Sequence, residues 1–264
     1  MSDGAVQSCG FLLELSPDWL IQRASENSHG FLGQYHQRLI GEPLADFTLA
    51  QALHDLRNAL ASQRSSSGIS RVYNVRLIDD PRYFDIAFQL RESSIILEGL
   101  PSAGERHGAF MGSVSRLIDG LRIDDRQKMM DAAARRMRAR TGFDQIRLVA
   151  GQDRVENSRG LAAIHSITGE LPAILADVTQ QPVALFPRKD AVPIHGAMLQ
   201  APTAVQAEEL QEAGFASGLR VSFSANHGES GFFECYSKVA RGPSFELHAA
   251  AELFAQIFGM LLPA

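Results

Sequence analysis

The residue types that carry most enzymatic and metal chemistry occur in this chain, but not in spacings that put them to work. Eight histidines lie at positions 29, 36, 54, 107, 165, 195, 227 and 248. No two are three or four residues apart, the separation that sets two ligands on one helix face. Two aspartate doublets, Asp79-Asp80 and Asp124-Asp125, have the form of paired carboxylates for acid–base work. The first precedes a proline in a turn and the second opens a helix, and turn and cap chemistry accounts for both. No glycine-rich phosphate loop, His-Glu-x-x-His pair or Gly-x-Ser-x-Gly elbow is present. The residues therefore predict no enzyme, no catalytic residue and no metal.

Composition sets the frame. The 264 residues suffice for two ordinary domains, and 45% hydrophobic with 21% charged residues predicts real cores. A formal charge of −5 argues against a nucleic-acid footprint. The densest basic group, Arg135, Arg136, Arg138 and Arg140, reads as a solvated helix face. The opening MSDGAVQSCG has neither a basic nor a long apolar region, and no apolar run would span a bilayer. Two distant cysteines, Cys9 and Cys235, make no disulfide framework. A cytoplasmic protein with no membrane partner is expected, with Cys235 a buried small hydrophobe.

Pattern then places the elements. Residues 10–15 and 19–25 read as two strands separated by a Ser16-Pro17-Asp18 turn, with small helical pieces between Asn27 and Gly41. Leu49, Leu53, Leu56 and Leu60 mark an amphipathic helix. Strands over 68–78, 83–91 and 93–100 follow. The polar stretch from Pro101 to Gly108 is the expected boundary, giving domains at 1–105 and 106–264. Beyond it, Val114, Leu117, Ile118 and Leu121 form one helical stripe. A second helix runs from Asp124-Asp125 to Thr141-Gly142, a capped start and a glycine stop. Strands over 145–150, 162–167, 219–225 and 231–238 and a helix over 244–262 complete the chain. The fold class is α+β: two antiparallel sheets, each flanked by helices. The order is that of a PAS domain followed by a GAF domain.

Several phrases sharpen this. Val6-Gln-Ser-Cys-Gly10-Phe-Leu-Leu resembles the Ile-Gln-Pro-His-Gly opening of bacterial phytochromes. Ile40-Gly-Glu-Pro-Leu-Ala-Asp46, Arg140-Thr-Gly-Phe-Asp144, Ile174-Leu-Ala-Asp-Val178, Pro182-Val-Ala-Leu-Phe-Pro187, Glu209-Leu-Gln-Glu-Ala-Gly-Phe215 and Gly231-Phe-Phe-Glu-Cys235 resemble further phrases of that family, in order. The resemblance implies a PAS–GAF photosensory module in which the segment from Thr179 to His195 forms a lasso around the N-terminus, with Val6 at the crossing. The sequence leaves open whether that crossing forms. The departures fall on the bilin site. No cysteine precedes the opening phrase, and Cys9 stands where the family has histidine. The Pro-Ala-Ser-Asp-Ile-Pro segment is missing between Val149 and Asp177. Ala173 and Gln200 replace the two arginines that clamp propionates. Gln206 and Tyr236 replace two histidines, and Val149 replaces a tyrosine. An anion clamp needs a fixed guanidinium fork, which neither Ala173 nor Gln200 supplies.

The leading expectation is thus a phytochrome-like signalling module with no cofactor and no bilin, acting through a protein partner or a homodimer. The interface would use the helices over 112–122 and 244–262, through Val114, Leu121, Phe245, Phe254 and Phe258, with Met260 beside them. The alternative is a sensor holding a small molecule, whether a non-covalent bilin, haem or another ligand, in a pocket lined by Gln200, Gln206, Arg220, Ser222 and Tyr236. Against that stands a collapsed pocket filled by Val149, Ile164, Phe223 and Phe233. Haem would look first to His165 or His195.

Overall fold

A computed structural model describes residues 4–62, 68–91, 93–102, 121, 123–158, 167–188 and 196–264. Along the chain the elements are β1 (Ala5–Val6), β2 (Phe11–Leu15), β3 (Ile21–Ser25), α1 (Ser28–Leu32), α2 (His36–Leu39), α3 (Ala50–Ala61), β4 (Ser70–Val75), β5 (Phe84–Arg91) and β6 (Ser94–Pro101). They continue with α4 (Arg126–Thr141), β7 (Gln145–Ala150), β8 (Asp153–Ser158), β9 (Ile174–Leu175), β10 (Val183–Phe186), α5 (Ala204–Glu212), β11 (Ser217–Ser224), β12 (Ser230–Ser237) and α6 (Phe245–Leu261).

The chain divides into two compact units, one made of Met1–Arg106 with Gln180–Ala201, the other of His107–Thr179 with Pro202–Ala264. The first unit's N-terminal part ends at Arg106, and the return segment Gln180–Ala201 groups with it rather than with the second unit. Backbone pairing explains this: β10 lies antiparallel between β1 and β3. Among the described residues the first unit's sheet runs β1-β10-β3-β2-β6-β5-β4. Its core gathers Phe11, Leu13, Leu15, Ile21, Leu53, Leu56, Phe84, Ile86 and Phe88. The helical stripe of α3 therefore does what its spacing required.

Two strands are shorter than their patterns. Trp19 has φ of +66°, so the turn extends to Leu20 and β3 starts at Ile21. Asn74 has φ of +54° beside a register shift, and β4 ends at Val75 although Leu77 and Ile78 stay buried. The N-terminal segment is held on both edges by the return segment. Val6 pairs with Val183, Gln7 N–H donates to Leu199 O at 2.8 Å, and Ala201 N–H donates to Ala5 O at 3.0 Å. Gly10 is bare because a Cβ there would lie 2.7 Å from Leu199 Cδ1.

In the second unit the described strands form a sheet ordered β8-β7-β12-β11-β9. Alternation sends Ile146, Leu148, Leu219, Val221, Phe223, Phe233 and Cys235 to the face covered by α4 and α6, where Met129, Met130, Met137, Phe254 and Phe258 complete the core. The predicted helix ends hold. Asp125 caps α4 by accepting from Lys128 N–H, Gly142 closes it at φ +70°, and Ser244 caps α6 through Leu247 N–H. The strand β8 went unpredicted. Of the predicted strand over 162–167, residues 162–166 lie outside the described residues, and so does the helical stripe before Leu121.

Candidate functional site

The other face of the second unit's sheet is built of successive cross-strand rungs. Gln145, Tyr236 and Gly218 form one, Arg147, Glu234 and Arg220 the next, and Val149, Phe232 and Ser222 the third. Each rung has its own chemistry.

The first rung is closed. Tyr236 is fully buried in a small core with Leu171, Leu175, Val178, Leu210 and Phe215. Leu171 can lie flat on Gly218, where a Cβ would come within 2.9 Å of it. Above this rung, Gln206 closes the N-terminus of α5 in a capping box with Thr203. Its amide then donates to Thr168 O at 2.9 Å and Glu170 O at 2.8 Å. Glu209 accepts from both N–H and Oγ1 of Thr168 at 2.6 Å. The loop from Ile167 to Leu171 is thereby pinned to α5.

The second rung is a charge relay. Arg147 donates through Nε and Nη2 to Glu234 Oε2, at 2.7 Å for Nε, and Tyr236 OH donates to the same oxygen at 2.7 Å. Arg220 Nε stands 3.5 Å from Glu234 Oε1. Burial, then the Glu234 charge, pushes the Tyr236 hydroxyl well above the usual phenol range. Two guanidinium groups thus share one buried carboxylate. The balancing charge comes from Glu170, whose oxygens accept from Arg220 Nη1 and Nη2 at 3.2 and 3.1 Å.

The third rung is open among the described residues. It floors a groove of about 720 Å³ bordered by Arg220, Glu170, Val149, Phe232, Gln256 and Met260, with Ser222, Ser224 and Ser230 at its base. The Arg220 guanidinium lies 4.7 Å from the Phe232 ring centre and donates to Ser222 Oγ at 3.2 Å. The groove thus brings a guanidinium, hydroxyls and an aromatic wall together, with Glu170 on the guanidinium fork.

The predicted pocket residues therefore separate. Arg220 and Ser222 line the groove, Tyr236 is sealed beneath its own cluster, and Gln206 is spent on the cap and the loop. Gln200 belongs to the first unit, where its backbone bridges Val6 and its carbonyl accepts from Gln7 Nε2. Of the side chains expected to fill a collapsed pocket, Phe233 packs in the helix-side core, and Phe223 packs there while also bordering the groove. Val149 borders the groove, and Ile164 lies outside the described residues.

The predicted interface residues are also corrected. Leu121, Phe245, Phe254 and Phe258 are 0–1% exposed. Phe258 packs edge-on to Phe223 and Phe233 at 5.1 and 5.3 Å, so these rings serve their own core. Met260 is exposed, and Val114 lies outside the described residues, as do His165 and His195. Missed by the sequence reading were Arg147, Glu234 and Glu170. Alternation from Phe233 and Cys235 was the signal that could have faced Glu234 toward Arg147. Cys235 is fully buried. Burial pushes the Cys9 thiol up to about 11, leaving it no thiolate near neutrality.

Residues 2–100 match a family model described as a PAS fold. The chromophore-binding domain of Stigmatella aurantiaca phytochrome superposes with a TM-score of 0.79 at 23% identity, over 99% of this chain and 96% of that one. The chromophore-binding domain of an unusual bacteriophytochrome from R. palustris gives 0.77 at 23% identity, over 97% and 93%. Against a larger structure of the R. palustris bacteriophytochrome the TM-score is 0.80 at 23% identity, over 98% of this chain and 58% of that one. The chain thus has the PAS–GAF fold of bacteriophytochrome chromophore-binding domains. A search of the curated proteins finds no match to it. No helix among the described residues is long and apolar enough to cross a membrane.

Proposed function

We propose that this chain is a phytochrome-like signal-transduction module that works without a bilin and passes its signal through protein contacts, a second copy of itself included. The observation that carries the reading is the closure of the Tyr236 and Glu234 rungs on the GAF sheet's outer face. A tetrapyrrole laid there would have to lift Leu171, Leu210 and Phe215 from Tyr236. It would also have to part Glu234 from Arg147, and stripping one partner from a buried ion pair costs roughly 3–5 kcal/mol. Neither Ala173 nor Gln200 returns a cation for a propionate, and the Cys9 thiol is held protonated. The module acts in the cytoplasm, has no enzymatic role, and needs neither nucleic acid nor membrane.

With the four aromatic and aliphatic side chains withdrawn into the core, α6 offers a second copy its half-buried Leu253 and Ile257 and the exposed Met260. Co-expression with a haem oxygenase, followed by absorbance and solution mass, tests both parts. A colourless protein with the mass of two chains, reduced to one by Ile257→Glu, is expected. A red or near-infrared band overturns the bilin-free reading, and a monomeric wild type overturns the dimer. The open groove favours a second role in sensing a small molecule.

A further inference from the structure

The groove beside Arg220 has the make-up of an anion site that the chain fills with its own carboxylate. Arg220 is fixed from behind: Glu234 holds its Nε side, the Phe232 ring lies under its plane, and its side chain is 16% exposed. What faces outward is the two-nitrogen fork that matches a carboxylate. Glu170 sits on that fork in the two-pronged geometry of such a pair, yet its side chain is 79% exposed. Ion pairs with so exposed a partner are weak. The loop carrying Glu170 is anchored independently by Gln206 and Glu209, so releasing the fork moves one side chain and leaves the loop in place. Once Glu170 swings away, Arg147 and Arg220 face Glu234 alone and the rung carries a net positive charge. Ser222 Oγ accepts from Arg220 and keeps its own proton for an acceptor in the groove. Val149, Phe232 and Met260 supply apolar walls beyond the charge.

We propose that this groove binds a small organic carboxylate with an apolar body, which replaces Glu170 on Arg220, Glu170 being the tethered competitor that sets the affinity. This deepens the small-molecule role of the groove and rests on the bilin-free reading, which the absorbance measurement tests separately. The test uses the full chain with benzoate as the probe, benzamide as its neutral counterpart and inorganic phosphate as an anion without an apolar body. Binding is read by calorimetry and by the shift in unfolding temperature. Benzoate is expected to bind and stabilise while benzamide does not. Removing the competitor in Glu170→Gln should tighten benzoate about two- to fivefold, the range an exposed ion pair can account for. Arg220→Gln should abolish binding. Ser222→Ala, an exposed position whose loss leaves the sheet intact, should weaken binding several-fold and covers the case in which the arginine variant misfolds. Failure of benzoate to bind Glu170→Gln, or equal affinity in that variant and the wild type, overturns the proposal. Phosphate binding as well as benzoate overturns the assignment of an apolar carboxylate.

Discussion

Glu98 is the first unit's least expected residue. It lies on the interior strand β6, 1% exposed, with Oε2 accepting from Met198 N–H at 2.9 Å and Oε1 from Leu199 N–H at 2.7 Å. It thus ties the return segment to the PAS sheet. Burial raises its pKa to about 7; the two amide donors, Arg91 and Arg71 pull it down but do not cancel the desolvation. Because the folded value exceeds the unfolded one, the native state holds an extra proton between about 4.5 and 7. The stabilisation from that proton is complete below about 4.5 and is lost as pH rises through 7. The shift corresponds to about 3 kcal/mol across this window. Glu98→Gln removes the titration and turns an amide donor toward one of the two N–H groups, at a cost of about 1–3 kcal/mol. Urea unfolding of both proteins at about pH 5 and about pH 8 separates the two effects, since every other titrating group cancels in the difference. The variant should be clearly the weaker at low pH, and the gap should shrink by about 2.5 kcal/mol, or change sign, at high pH. A gap of the same size at both pH values refutes the raised pKa and with it the account of this carboxylate as a desolvated tie.

Two further outcomes test the packing. Glu234→Ala leaves Arg147 and the Tyr236 hydroxyl buried without their acceptor and should destabilise the second unit by roughly 3–5 kcal/mol in urea; the double variant Arg147→Met with Glu234→Leu should recover most of that loss, and no recovery would mean that the relay stabilises the unit in its own right. Gly99→Ala places a methyl group against the Phe11 ring, which is fully buried, and should lower stability by about 1–3 kcal/mol, with an unchanged unfolding midpoint counting against the packing described.

Much of the fold was legible because its signals are local. Asp125, Thr141-Gly142 and Ser244 mark helix ends by side-chain and backbone chemistry that needs no distant partner. The phrase around Gly142 reads clearly because each residue in it has a fixed role. Thr141 Oγ1 donates to Met137 O, Phe143 is buried, and Asp144 accepts from Lys238 N–H and Ser237 Oγ. The strand β8 was illegible because it is an edge strand with Val155 as its buried residue, so its polar sequence carries no alternation. The site was harder still. Alternation alone gives the face of Glu234, but its placement between Arg147 and Arg220 depends on the register of two strand pairs. Reading Phe245, Phe254 and Phe258 as interface side chains of α6 failed for a related reason. Its apolar residues exceed one stripe, and the sheet beneath it, with Phe223 and Phe233, is large enough to absorb them.

The three rungs of the GAF sheet bear differently on function. A sheet face that carries polar groups must cover them, pair them or leave them to water, since an unpaired buried group costs more than its hydrogen bond returns. Here the Tyr236 rung is covered by an apolar cluster pinned through Gln206, and the Glu234 rung is paired internally. Among the described residues the Phe232 rung and the Arg220 fork of the rung beside it keep their groups facing the groove. Simple loss of a ligand would leave orphaned charge or an empty cavity along the whole face. Two rungs closed largely by their own neighbours, and a guanidinium fork with a weakly held partner at the edge of the third, support the proposed carboxylate site. The exposed partner makes that argument specific: were the face merely sealed, Glu170 would gain from burial beside Arg220, whereas it sits where a competing carboxylate can take its place.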